Sequence, residues 1–348
     1  MASPQSTPIS KPDNPPSETK KEAAPIVFSA QGQPQPDTRL TVFDRQFHVH
    51  SMVLKLHSGY FNAFFEPKNE EPAPEPAPGQ FKYEYITKID NDGTWFPGRA
   101  ADTKDPAGDV KNYIGDPRAQ ETAFEKLLHI FYDRPIRIKD VFELSVMTEK
   151  AQYLLAIPKF SLAFHSALHY DGVLLQQLRQ MPEEFLPIAQ KLRSELLFRE
   201  AFVLCQGPFH APKLFNIADP NLRFLAWMKH TMLVDQVLHA QSVIVKHQKA
   251  SNGYMKYSLN LMQTRPDGNV SWPQLMRRLW AQPYYSRNSN QFHALNDAIL
   301  PLLENNLVLD RSGVGAGFGR YLEYFLSVEL LDDELPWDTE EEQGRVVM

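Results

Sequence analysis

The spacing of apolar positions changes period several times along the chain, and each change predicts an element. Ile26-Val27-Phe28 is a short apolar run that predicts a first strand. Leu40-Thr41-Val42-Phe43 predicts a second strand, and Asp44-Arg45-Gln46 a polar turn. Phe47-His48-Val49-His50 is the strand returning from that turn. Val53, Leu54, Tyr60, Phe61, Phe64 and Phe65 then recur at helical spacing and predict a short helix pair. From Phe81 to Ile89 the pattern alternates, with Phe81, Tyr83 and Tyr85 on one face, as in a half-buried strand. Trp95 and Phe96, inside the Gly- and Asp-rich stretch that follows, predict that part of it packs back on its domain.

Beyond residue 116 the period is that of helices. Phe124, Leu127, Leu128 and Phe131 fall at i, i+3, i+4 and i+7. Leu144, Met147, Ala151, Leu154 and Leu155 repeat the pattern as far as Ile157-Pro158, and a further helix is expected from Phe160 to Tyr170. Pro182, with Glu183 and Glu184 in the first turn, opens a helix whose buried stripe is Phe185, Ile188, Ala189 and Leu192. Another runs to Cys205 and stops at Gly207-Pro208. The strongest helical signal covers 220–249, with Asp219 as cap and Pro220 in the first position. Helices are also expected over 271–281, 291–306 and 319–331.

Composition qualifies this picture. Of the 28 prolines, 13 lie in residues 1–36 and 66–80, stretches too poor in large apolar side chains to offset the entropy of ordering. They are expected to be disordered, and the acidic end from Glu329 to Glu342, with Asp332, Asp333, Glu334, Asp338 and Glu340, is expected to be solvated. A net charge of −6 argues against binding nucleic acid by neutralising phosphates. The single Cys205 forms no internal disulfide and suits a reducing compartment, so a cytoplasmic or nuclear location is expected. The first residues lack the apolar core of a signal peptide, and no apolar run approaches a membrane span.

Residue types and spacing together resemble the start of a BTB/POZ domain, over about residues 25–172. The family opens with an Asp, a strand, a turn, an F-x-x-H strand end, then H-x3-L-x3-S and an aromatic pair. Here Asp37, Phe47, His50, Leu54, Ser58, Tyr60 and Phe61 stand in register. Phe124 to Tyr132 resembles the later helix, Ile136-Arg137-Ile138 the small strand after it, and Leu144 to Leu154 the next helix. Tyr83-Glu84-Tyr85 and Asp90 to Trp95, with Lys191-Leu192-Arg193-Ser194 and Phe198-Arg199-Glu200-Ala201 further on, look like a filamentous-fungal subgroup. Two departures stand out. Ser51 occupies the place where repressor-type members commonly carry a basic residue, and Asn69 the place of the apolar anchor of cullin adaptors, for which Phe65 is the substitute.

The resemblance implies an α+β BTB/POZ domain at 25–172, with a Pro-rich insertion at 66–80 and a Gly/Asp-rich one at 90–116. An all-helical domain at 173–331 and an acidic tail at 332–348 follow, after a Pro/Ser-rich tail at 1–24. It implies a protein–protein interaction module that forms a homodimer, or pairs with another BTB protein. Val53, Leu54, Leu56, Tyr60 and Phe61 are the candidate interface. A cullin-type ubiquitin ligase scaffold is an alternative partner, and transcriptional regulation through partners an alternative role. No catalytic residue, cofactor, metal, nucleic acid or membrane contact is expected. His48 and His50 could share a strand face, and His165 and His169 a helix face near Asp171, but neither pair has the further ligands a metal needs. Gly313 to Gly319 precedes an expected helix without a Gly-Lys-Ser/Thr, so it reads as a flexible connector. Cys205, in Val203-Leu204-Cys205, reads as an inert core thiol.

Overall fold

The computed structural model describes residues 24–29, 34–65, 80–102, 110–168, 172–250, 271–281 and 290–337 (for 247–250 and 290–292 the backbone alone). The tail before residue 24, most of the Pro-rich insertion with Asn69, and His169, Asp171 and residues 338–348 lie outside them. Two compact units are present: Met1–Ser51 with Pro72–Gly115, and Met52–Glu71 with Asp116–Met348.

The first unit is a five-stranded sheet in the order β1-β3-β2-β4-β5. Its strands are β1 (Ile26–Val27), β2 (Thr38–Val42), β3 (Arg45–Val49), β4 (Tyr83–Ile89) and β5 (Trp95–Arg99). β2 and β3 form an antiparallel hairpin, β1 adds parallel to β3, and β4 adds parallel to β2. The period-two pattern is realised as burial: Thr38, Leu40 and Val42 on β2 and Phe47 and Val49 on β3 all point inward. On β4 the buried positions are Tyr85 and Thr87. β5 comes from the Gly/Asp-rich segment; no alternation announced it, but Trp95 is buried and pairs with Ile89. Gly93, at φ 84°, makes the turn between them, where a side chain would strain the backbone.

The first hairpin turns one residue earlier than the polar run suggests. Val42 pairs with Arg45, so the turn is Phe43-Asp44, and Arg45 and Gln46 belong to β3. Phe43 has φ 49°, unusual for a bulky residue. Its N–H donates to Thr87 Oγ1 at 2.7 Å, and its ring packs on Trp95 and Tyr113 at 5.4 and 4.9 Å. Tertiary contacts hold a conformation that a polar turn sequence would have adopted unaided.

The second unit is helical. Its helices are α1 (Ser51–His57, whose first residue belongs to the sheet unit), α2 (Gly59–Phe65), α3 (Pro117–Phe131), α4 (Val141–Tyr153), α5 (Ile157–Leu168) and α6 (Val173–Gln180). Then come α7 (Pro182–Leu192), α8 (Glu195–Cys205), α9 (Pro220–Ala250), α10 (Trp272–Trp280) and α11 (Asn290–Ile299). Asp116 caps α3 by accepting from the Arg118 N–H at 2.9 Å, and Asp140 caps α4 by accepting from Glu143 at 2.8 Å. Phe124, Leu127, Leu128 and Phe131 are all buried, each worth about 2 kcal/mol in apolar area removed from water. α7 and α8 pack as a hairpin through Arg193, at φ 51°, and Ser194. Helices on both sides of residue 172 pack together: α4 and α5 lie on α7, and the Val141 N–H donates to Gln177 Oε1 at 2.9 Å.

Three expected elements differ. Ile136-Arg137-Ile138 forms no strand, although Ile136 and Ile138 are buried. The helix expected over 291–306 ends at Ile299, because Pro301 cannot donate to the ladder, and a 3-10 turn at Pro301–Leu303 replaces it. The helix expected over 319–331 is a 3-10 turn at Gly319–Tyr321 followed by extended chain. There Leu326, Val328 and Leu330 are buried at alternate positions, the period of a strand, and Leu326 bridges to Asn305. The glycine run 313–319 is packed rather than free: Arg277 on α10 donates through Nε to the Ala316 carbonyl at 2.8 Å, and Ala316 is fully buried.

Candidate interaction surface

The motif residues shape the fold. The Asp37 carboxylate accepts from the Ser51 N–H at 2.7 Å and the Ser51 hydroxyl at 2.5 Å, anchoring the start of α1. Ser51 therefore satisfies an acid that a basic residue would otherwise have met. His50 Nε2 donates to the Pro34 carbonyl at 2.8 Å. Ser58 caps α2: its hydroxyl accepts from the Phe61 N–H at 3.3 Å and donates to the Leu154 carbonyl at 2.7 Å. Phe47, Leu54 and Phe61 are fully buried.

The five residues expected at an interface divide. Leu54 and Phe61 are enclosed by their own chain, and Val53 and Tyr60 are half-buried. Leu56 is 74% exposed. Beside Tyr60 stand apolar side chains that the periodicity did not single out for this surface. Phe64 is 50% exposed and Leu155 is 67% exposed, with Tyr153 between. The Tyr60 ring stacks on Phe64 at 4.6 Å and meets Tyr153 at 5.5 Å. The Gly59 and Tyr60 N–H groups donate to the Leu155 and Leu154 carbonyls at 3.3 Å each, which ties α2 to the end of α4. A Cβ at Gly59 would stand 3.0 Å from Leu155 Cβ, so a side chain there would push Leu155 back by a few tenths of an ångström. Leu155 itself holds φ 52°, which turns its side chain off the helical stripe where the sequence placed it. Phe64 was legible as the i+4 neighbour of Tyr60; Leu155 was not.

Under this surface, Lys150 is buried and lies 5.2 Å from the Tyr153 ring. Burial pulls its ammonium from 10.5 down to about 7. Phe65, the substitute cullin anchor, is buried and stacks on Phe61 at 5.4 Å, so it offers nothing outward.

The other candidates have local explanations. His48 lies on the Phe81 ring at 4.6 Å, and burial, helped by Arg39, lowers its pKa. His165 Nδ1 meets the Ser161 carbonyl at 2.9 Å. Among the described residues no three His, Cys, Asp or Glu side chains converge as metal ligands would. Cys205 is buried and its thiol is pushed up by desolvation, away from the reactive thiolate. A groove of about 340 Å³ runs beside Ile136 and Leu162; its Lys159–Asp133 pair closes on itself at 2.5 Å. No described helix is long and apolar enough to cross a membrane.

The Phe198-Arg199-Glu200-Ala201 motif has a defined task. The Glu200 carboxylate accepts the N–H groups of Val308, Leu309 and Asp310 at 2.5, 2.9 and 3.1 Å. Arg199 holds the Leu330 carbonyl, Asp332 and Glu195. Lys229 pairs with Glu334 at 2.6 Å, so the start of the acidic tail is docked on the helices.

No curated protein and no solved structure matches the chain. Residues 29–89, which contain the β2–β3 hairpin, the α1–α2 pair and β4, match the family model of the BTB/POZ domain. With its small sheet, its helices and the helical region that follows, this chain carries a BTB/POZ domain, a module for protein–protein interaction.

Proposed function

We propose that this chain is a non-enzymatic interaction protein of the filamentous-fungal BTB type, which pairs with itself or another BTB protein and recruits partners. In this reading a BTB unit at 25–172 supplies association, and the helical region at 173–331 supplies further contacts. The observation that carries it is the apolar surface that Tyr60, Phe64, Tyr153 and Leu155 form together, with Leu56 exposed on the preceding helix. Large apolar side chains grouped on a surface mark association sites, and aromatic residues are enriched where binding energy concentrates. A reducing location, cytoplasm or nucleus, accords with the lone buried Cys205.

Light scattering on the whole chain tests the association. Leu56→Asp, at an exposed position, is expected to halve the mass while the circular dichroism stays unchanged. A wild-type chain that is monomeric at tens of micromolar sinks the proposal. The alternative, a ubiquitin-ligase adaptor, draws on Phe64 standing exposed just before the segment where adaptors carry their anchor. Retention of a cullin scaffold by the wild type and its loss with Phe64→Asp would favour that role; no retention removes it.

A further inference from the structure

Helix α9 carries large apolar side chains on two opposite faces. Inward, Leu222, Ala226, Leu233, Val237, Ala240 and Ile244 are buried. Outward, Phe224, Met228, Thr231, Asp235, Leu238, Ser242 and Val245 are all exposed. Their spacing alternates four and three residues over three heptads, the period of a coiled-coil seam. Trp227 and Met232 flank the seam and are also exposed, with Trp227 6.0 Å from Phe224. A helix that faces water on one side is expected to be polar there, and four of these seven positions, Phe224, Met228, Leu238 and Val245, are apolar instead.

We propose that this face pairs antiparallel with α9 of a second copy of the chain. Area supports a second copy. The six apolar side chains, Phe224, Trp227, Met228, Met232, Leu238 and Val245, are each about half exposed. At roughly 100 Å² apiece they offer about 600 Å² per copy, and two copies reach the roughly 1,200 Å² at which specific interfaces begin. The polar seam positions are self-complementary as well. A twofold axis midway between Thr231 and Asp235 sets each threonine opposite the partner helix's aspartate; its hydroxyl, which donates to the Trp227 carbonyl at 2.9 Å in the single chain, redirects that proton to the carboxylate on pairing. The same register brings Met228 against the leucine at position 238 of the other copy, so the polar layer fixes the alignment. An isologous contact of this kind is separate from the BTB surface. A chain with both would build assemblies larger than a dimer.

The single native thiol is buried, so introduced cysteines report on this face alone. The experiment mixes full-length M228C with full-length L238C under mild oxidation, in a Leu56→Asp background that removes the BTB contribution. A covalent dimer is expected in the mixture at several times the level of either variant alone, and its loss is expected when Trp227→Glu is added. Exposed Leu162→Cys, on α5, is the control for random collision. A yield in the mixture no higher than that control overturns the proposal. So does a yield that Trp227→Glu leaves unchanged. Trp227-dependent flotation with anionic lipid vesicles, without crosslinking, would also overturn it, in favour of a membrane surface.

Discussion

Glu200→Ala removes one acceptor that three consecutive amides share. In the wild type its carboxylate receives Val308 and Leu309 on Oε2 at 2.5 and 2.9 Å, and Asp310 on Oε1 at 3.1 Å. Bonds to a charged acceptor contribute about 1.5–3 kcal/mol each, but that sum overstates the loss. Burial of the charge works the other way: desolvation outweighs the three donors and raises the Glu200 pKa. What alanine leaves behind is the buried Leu309 N–H without its acceptor, at about 1–3 kcal/mol, and two part-buried amides that water reaches more cheaply. A net loss of about 2–4 kcal/mol follows. Glu200→Gln keeps one oxygen for Val308 and Leu309 but turns an NH2 toward Asp310, so it should lose less, about 1–2 kcal/mol. Asp310 also accepts from the Tyr321 hydroxyl at 2.5 Å, so the damage should spread to the turn at Gly319–Tyr321. Urea unfolding followed by circular dichroism measures the total, and hydrogen exchange at amides 308–310 locates it. Because the folded pKa is raised, this carboxyl's contribution is complete below its unfolded value and is lost as pH rises through the folded one. Wild type should therefore lose ground to Glu200→Gln over that window. An alanine variant within about 0.5 kcal/mol of wild type, with exchange at 308–310 unaltered, would refute the clamp.

Three further outcomes are expected. Lys150 releases its proton in the folded chain near 7 but keeps it to about 10.5 when unfolded, so its contribution to stability rises with pH across that window. The wild-type stability minus that of Lys150→Met should grow by roughly 2 kcal/mol between about pH 7.5 and 9; a flat difference in urea midpoints contradicts the buried-ammonium assignment. Thr87→Val leaves the N–H of left-handed Phe43 without its acceptor, and should cost about 1–3 kcal/mol by denaturation. Leu54→Asp, fully inside the chain, should unfold the protein rather than merely dissociate it, so a folded monomer by near-ultraviolet dichroism would show Leu54 to be an interface residue.

The sequence alone determined the β2–β3 strand pair, the amphipathic helices α3, α4, α7, α8 and α9, the cap Asp219, and the BTB resemblance that Asp37, Phe47, His50, Leu54, Ser58 and Phe61 carry. Those features are local: a period of two or 3.6 and a capping side chain act within a few residues. Only tertiary structure decided which apolar residues face outward. Leu54 and Leu56 look alike in the sequence, yet one is enclosed and the other open, and Leu155 joins the surface because a left-handed backbone turns it off its helix. The strand β5 and the extended chain at 326–330 exist because partner segments accept their backbone groups or bury their side chains, through hairpin pairing with β4 in one case and contact with Asn305, twenty-one residues back, in the other. The apolar spacing of 220–249 announced a helix, but a helix apolar on two faces does not say which one its own chain will cover. That choice belongs to packing, where burying either face is favourable and only the rest of the fold determines which is left exposed.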